Sequence, residues 1–157
     1  DFERGVSLLR QQAARNPDSF KLDLANYLND LAGYLLEIGR REEGLAMIEE
    51  VVQHYRDLAT LDKAFFARYL SQSLENLAHE LLRQKKPRSI ATAFEAVSVM
   101  REVFIQLPNL NAVLMRRVIN SYRAICKGMG IGPNKVYLRP LVEILDVLDE
   151  NSSIAKE

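Results

Sequence analysis

One segment of this chain is written twice. Asp30-Leu31-Ala32-Gly33-Tyr34-Leu35-Leu36 returns as Asn76-Leu77-Ala78-His79-Glu80-Leu81-Leu82, and Glu50-Val51-Val52 returns as Glu95-Ala96-Val97. The first offset is 46 residues (30 to 76) and the second 45 (50 to 95). A period in that range implies stacked helical hairpins, because one such unit cannot bury its own apolar face and must lay it on a neighbour. Architectures of this kind present surfaces for binding and seldom carry out chemistry.

The rest of the chain keeps helical rhythm, and no stretch alternates with period two over the length of a strand. A first helix is expected from Phe2 to Ala14, with Val6, Leu9 and Ala13 on one face; Asn16-Pro17-Asp18 breaks it, with Asp18 as an N-cap for the second helix. That second helix runs from Phe20 to Ile38 through Leu24, Leu28, Leu31 and Leu35, and Gly39 stops it. The third covers Glu42 to Leu58, with Thr60-Leu61-Asp62 as a turn, and the fourth Lys63 to Arg83. Lys85-Lys86-Pro87 ends the fourth, and Pro87 suits the first turn of a fifth helix reaching Leu107. Pro108-Asn109-Leu110-Asn111 reads as a connection, Ala112 to Lys127 as a sixth helix, and Gly128 to Pro133 as its stop. A seventh region extends to Leu148, with Pro140 expected to kink or split it. These seven helices place residues 1–150 in one helical repeat domain, followed by a polar, frayed tail at 151–157.

Bulk properties narrow the function. A chain of 157 residues can bury roughly two-thirds of its unfolded surface. The 21 basic and 21 acidic residues cancel, so no global field attracts nucleic acid or anionic lipid. No apolar run approaches the ~18 residues of a membrane span and no signal-peptide pattern opens the chain. The single cysteine, Cys126, rules out an internal disulfide and fits a reducing, cytoplasmic setting. The chain starts at Asp1, already in helical rhythm, and reads as a piece of something longer. Charge is balanced only in the sum. Residues 1–52 hold 6 basic and 10 acidic side chains, whereas no acid falls between Glu102 and Glu143, a stretch containing Arg116, Arg117, Arg123, Lys127, Lys135 and Arg139.

Two tracts, Leu28…Leu31-Ala32…Leu35 and Leu74…Leu77-Ala78…Leu81, resemble helix A of the tetratricopeptide repeat family, in which large residues flank a Leu followed by a small residue. Gly39 is similar to the family's turn glycine, and Arg40-Arg41-Glu42-Glu43-Gly44-Leu45 to its entry into helix B. The long period resembles the kinesin-light-chain-like variety, whose repeats exceed the usual ~34 residues. The match spans residues 20–107. It departs at Lys85, where a glycine belongs, and in a third unit, Ile119…Tyr122-Arg123…Cys126, where Arg123 takes the small position.

The resemblance implies an all-α right-handed superhelix of antiparallel hairpins whose concave groove, lined by the helix A face opposite the Leu stripe, binds a peptide or helix of a partner. Carried over by position, that face comprises Asn26, Asn29, Gly33, Leu36 and Glu37, then Gln72, Glu75, His79, Leu82 and Arg83, then Arg117, Asn120, Ala124 and Lys127. A solvated helix face is the plainer reading of any one of them. Leu36 and Leu82 must be covered by something, either a partner or the neighbouring repeat. The clamp that some family members use for chaperone tails needs Lys and Asn at positions held here by Asn29, Gly33 and Glu75, which argues against that ligand.

Arg116, Asn120, Arg123 and Lys127 fall on one helical stripe, and with Arg83, Lys85, Lys86 and Arg88 they outline a basic surface suited to an acidic peptide. Aromatic residues are too few for the stacking platforms of single-stranded nucleic acid. Catalytic resources are thin. His54 and His79 lack metal-ligand companions at helical spacing, Cys126 alternates with Ile119 and Tyr122 as a core thiol, and Gly128–Pro133 lacks the strand and the Lys-Ser/Thr end of a phosphate loop. The expectation is a non-enzymatic protein-interaction module with no metal or cofactor. The alternative is a regulatory or oligomerisation segment, as in a signalling protein, that packs against other domains of its own longer chain.

Overall fold

A computed structural model describes residues 2–155, without the side chains of residue 2 and residues 17–20. The described residues form seven helices and no strand: α1 (Phe2–Arg15), α2 (Pro17–Glu37), α3 (Arg41–Leu61), α4 (Lys63–Arg83), α5 (Ser89–Gln106), α6 (Pro108–Gly128) and α7 (Lys135–Ile154). Each helix packs on the next in the chain, and α4 packs on α6 as well. The result is a stack of hairpins, α2–α3, α4–α5 and α6–α7, with α1 laid against the first.

The Leu stripe is the reason the hairpins stack. Leu24, Leu28, Leu31 and Leu35 on α2 are buried, as are their counterparts Leu70, Leu74, Leu77 and Leu81 on α4. Met115, Ile119, Tyr122 and Cys126 continue the series on α6, all buried, so the third unit keeps the register even where its sequence departs. Burying a side chain of this size contributes about 1.5–3 kcal/mol. Two apolar clusters result, one running from α1 to α5 and one from α4 to α7. Helix α4 serves both, giving Leu70, Leu74, Leu77 and Leu81 to the first and Ala67 and Ala78 to the second.

The ends of the first helix in every hairpin repeat the same hydrogen bonds. Arg40 N–H donates to the Leu35 carbonyl, Lys86 N–H to Leu81 and Ile131 N–H to Cys126, at 2.8, 2.8 and 2.9 Å. The residue before each donor has positive φ: Gly39 (82°), Lys85 (55°) and Gly130 (70°). This left-handed helix stop satisfies carbonyls that the helix leaves open. The corners between hairpins repeat too. Asn16, Asp62 and Leu107 each stand alone between two helices, with φ of −142°, −146° and −133°.

Several boundaries differ from expectation. Thr60 and Leu61 belong to α3, so the turn there shrinks to Asp62, whose side chain caps α4 by accepting from Phe65 N–H at 3.0 Å. Pro108–Asn111 is not a connection but the first turn of α6, where a proline's missing N–H costs nothing. Pro87 lies before α5, which starts at Ser89. Asn16 takes the N-cap place of α2, and the side chain of Asp18 is outside the described residues. Pro140 does not split α7, because Val136 and Pro140 face solvent and water can take the carbonyl that the ring leaves without a donor. Asn151–Ile154 is helical rather than frayed, while 156–157 lie outside the described residues.

Candidate functional site

Five of the residues assigned to the groove by position meet in one place. Asn29, Gly33 and Leu36 from α2 and His79 and Arg83 from α4 line a cleft of about 480 Å³, together with Ala32, Ile48, Asn76 and Glu80. A smaller adjoining hollow of about 180 Å³ shares Asn29 and Asn76 and adds Asn26, Gln72, Tyr55, Tyr69 and Ser73. The two form one polar trough between the first helices of two successive hairpins.

Comparing this trough with the next interval of the stack shows why it is open. Between α4 and α6 the equivalent space is filled. The Glu75 carboxylate accepts from Arg117 Nε at 3.0 Å and from the Ser121 hydroxyl at 2.5 Å, and His79 Nε2 stands 3.4 Å from that hydroxyl. Glu75 is thereby buried at 8 % exposure and ties two hairpins together. Between α2 and α4 the position of Glu75 is Asn29 and that of His79 is Gly33. A Cβ placed on Gly33 would meet nothing within 4 Å. The glycine withholds a side chain where its counterpart reaches across, and the cleft stays open.

The walls and floor have distinct chemistry. Asn29 and Asn76 bring a side-chain amide from each wall, able to donate and accept. Tyr55 hydroxyl donates to Asn26 Oδ1 at 2.9 Å and its ring stacks on Tyr69 at 5.7 Å, which holds that amide in place. Burial, and then the neighbouring Tyr69, push the Tyr55 phenol above its usual 10.0. Ala32 and Ile48 make an apolar floor. Leu36 leans over Gly44, where an added Cβ would lie 2.8 Å from its Cγ. Glu80, its side chain 3 % exposed, accepts from Arg83 Nη1 at 3.4 Å and from Gln84 Nε2 at 3.0 Å.

Other assigned residues fall elsewhere. Glu75 and Arg117 are partners of each other and not free groove contacts, because α4 and α6 lie close enough for their side chains to meet. Leu82 is covered by the neighbouring repeat: its methyls would stand 3.1 and 3.2 Å from a Cβ on Gly128 of α6. Glu37, Asn120, Ala124 and Lys127 are exposed outside the cleft. The expected basic surface is largely neutralised. Arg83 pairs with Glu80, Lys86 with Glu42 at 3.9 Å, Arg88 with Glu49 and Arg116 with Asp149 at 2.7 Å. Among the described residues Arg123, Lys127, Lys135 and Arg139 make no ion pair. His54 lies 3.5 Å from Glu50, and Cys126 is wholly buried, as a core thiol should be.

Glu80, Asn76 and Ser121 were not foreseen as site residues. Glu80 had a readable signal: the repeat register sets it against Tyr34 and Ile125, so it is a carboxylate at a position otherwise apolar, with Arg83 and Gln84 one turn on. Ser121 and Asn76 share a register position and become informative only once α4 and α6 are seen to touch. The Ser121 hydroxyl donates to the Glu75 carboxylate at 2.5 Å, with His79 Nε2 at 3.4 Å from the same hydroxyl oxygen. Among the described residues no group of three metal-ligating side chains comes together, and no helix is long and apolar enough to cross a membrane. Comparison with protein-family models, with curated proteins and with solved structures finds no match for this chain.

Proposed function

We propose that this chain is a protein-interaction module of tetratricopeptide-like build, and that it holds an extended peptide segment in the trough between α2 and α4. The observation that carries this reading is the cleft opened at Gly33, bounded by amides on both walls and an apolar floor. Asn29 and Asn76 suit the alternating donors and acceptors of a peptide backbone. Ala32 and Leu36 would receive an apolar side chain, and Arg83, 65 % exposed at its side chain, would share its guanidinium between Glu80 and a carboxylate or chain carbonyl of the peptide.

Replacing Gly33 with Phe tests it. The helix should tolerate the change, since the site is open and glycine is a poor helix former, by about 1 kcal/mol relative to alanine. Peptides selected from a random library on the native chain should bind Gly33→Phe at least about tenfold more weakly. They should bind Gln53→Ala, on the exposed outer side of α3, unchanged. Equal binding to all three would place the peptide site elsewhere.

A second reading, packing against other domains of a longer chain, draws on a different observation. Leu61 and Phe65 at one corner, and Leu107, Leu110 and Val113 at the next, are all more than half exposed. Concentration-dependent association in light scattering, abolished by Val113→Asp, would favour that reading over the trough.

A further inference from the structure

The third hairpin ends in a seat unlike that of the second. On the second hairpin, the face toward the next unit is apolar: Phe94 lies 5.5 Å from the Tyr122 ring and 4.6 Å from the Tyr137 ring, and Ile90 is packed into the same cluster. Adding the period of 45 carries Ile90 to Lys135, Phe94 to Arg139 and Ala78 to Arg123. Those three cations line a cleft of about 330 Å³ between α6 and α7, with Leu138 and Val142 among the apolar groups and Glu143 as the one carboxylate. Three positive charges against one negative leave two in excess. Val142 stands where the earlier hairpins have Val52 and Val97, which are 1 % and 0 % exposed beneath their successors; Val142 is only partly buried.

From this we infer that the α6–α7 cleft is a docking site for an acidic amphipathic helix of a partner protein. The place is one that a helix occupies on each earlier hairpin: α4 packs on α3 and α6 packs on α5. Val142, only partly buried above the core residue Leu138, calls for a hydrophobic stripe, and Arg123, Lys135 and Arg139 call for carboxylates beside it. None of the three has an ion-pair partner among the described residues, so their charge is available to an incoming acid. On the second hairpin the corresponding positions are Ile and Phe. Lys and Arg in their stead keep the seat hydrated when empty, which suits a reversible partner. This site is separate from the α2–α4 trough and does not depend on it.

The probe is a labelled peptide about 20 residues long, with Leu at alternating spacings of three and four and Glu on either side, long enough for helix to form. A matched peptide carries Lys in place of every Glu. Fluorescence anisotropy should show the Glu peptide binding the native chain, more weakly as salt rises, and losing about tenfold or more on Arg123→Glu/Arg139→Glu. The Lys peptide should prefer the doubly reversed chain, a swap that mere misfolding cannot produce. Gly33→Phe should leave both results unchanged, which separates this site from the trough. The inference is overturned if the two peptides bind alike, if the double variant keeps its affinity for the Glu peptide, or if a single-stranded oligonucleotide binds this cleft and displaces the Glu peptide.

Discussion

Single residues show where the repeat is obeyed at a cost. Lys85 occupies the position of Gly39 and Gly130 and adopts the same positive φ, 55°, because the helix stop requires it. A side chain with a Cβ is strained there by about 1–2 kcal/mol, and the hydrogen bonds from Lys85 and Lys86 to Leu82 and Leu81, both 2.8 Å, hold it in place. Lys85→Gly should therefore stabilise the chain by about 1 kcal/mol, less than the full strain because glycine loses more freedom on folding. Chemical denaturation would read this as a higher midpoint with an unchanged slope. A lower midpoint would mean that the lysine side chain contributes something the backbone does not show. The departure was visible in the sequence as a missing glycine, but only the backbone says that the turn kept its shape and strained the residue.

At the scale of the element, the one-residue corners explain most of the boundary errors. Asn16, Asp62 and Leu107 share a conformation, but only the first two have the short polar side chain of an N-cap, so only the period marks all three as equivalent. Thr60, Leu61 and the Pro108–Asn111 run look like loop residues and prove helical because the corner needs only one extended residue. Asp62 uses its position, accepting from Phe65 N–H, whereas Leu107 cannot and is itself 56 % exposed. Leu107→Asp should supply the missing cap, with Leu110 N–H as donor, and remove an exposed apolar group. A cap of this kind is worth about 0.5–2 kcal/mol. A rise in melting temperature checks it; a fall would show that Leu107 is covered in solution by another copy or another domain, as the second functional reading requires. The helices themselves were legible because the Leu stripe recurs on α2 and α4. The pairing of Glu75 with Arg117 was not, since it depends on how close α4 and α6 lie and no spacing along the chain encodes that.

For the molecule as a whole, the stack makes α4 the element on which both halves depend. Its Leu stripe closes the cluster that reaches back to α1, and Ala67 and Ala78 open its other face to the cluster that reaches α7. The trough residues Asn29 and Gly33 were legible because they stand at groove positions of a helix whose core face was already assigned. The α6–α7 cleft was legible only as an acid-free stretch, because which cations stay unpaired depends on Glu75 and Asp149 reaching Arg117 and Arg116 from other helices. In a linear stack, stability is close to a sum of units and nearest-neighbour interfaces. Leu74→Ala, at a wholly buried site of α4, should then cost about 2–5 kcal/mol and lower amide protection on both sides, in α2–α3 and in α6–α7. Leu141→Ala, equally buried but on α7, should cost a similar amount while leaving α2–α3 protection intact, because the apolar cluster it belongs to takes in no residue of α2 or α3. Native-state hydrogen exchange distinguishes the two, since it resolves opening unit by unit. If Leu141→Ala loosened α2–α3 as much as Leu74→Ala does, the chain would open as one block, and a helix docked at the α6–α7 end would be coupled directly to the trough at the other.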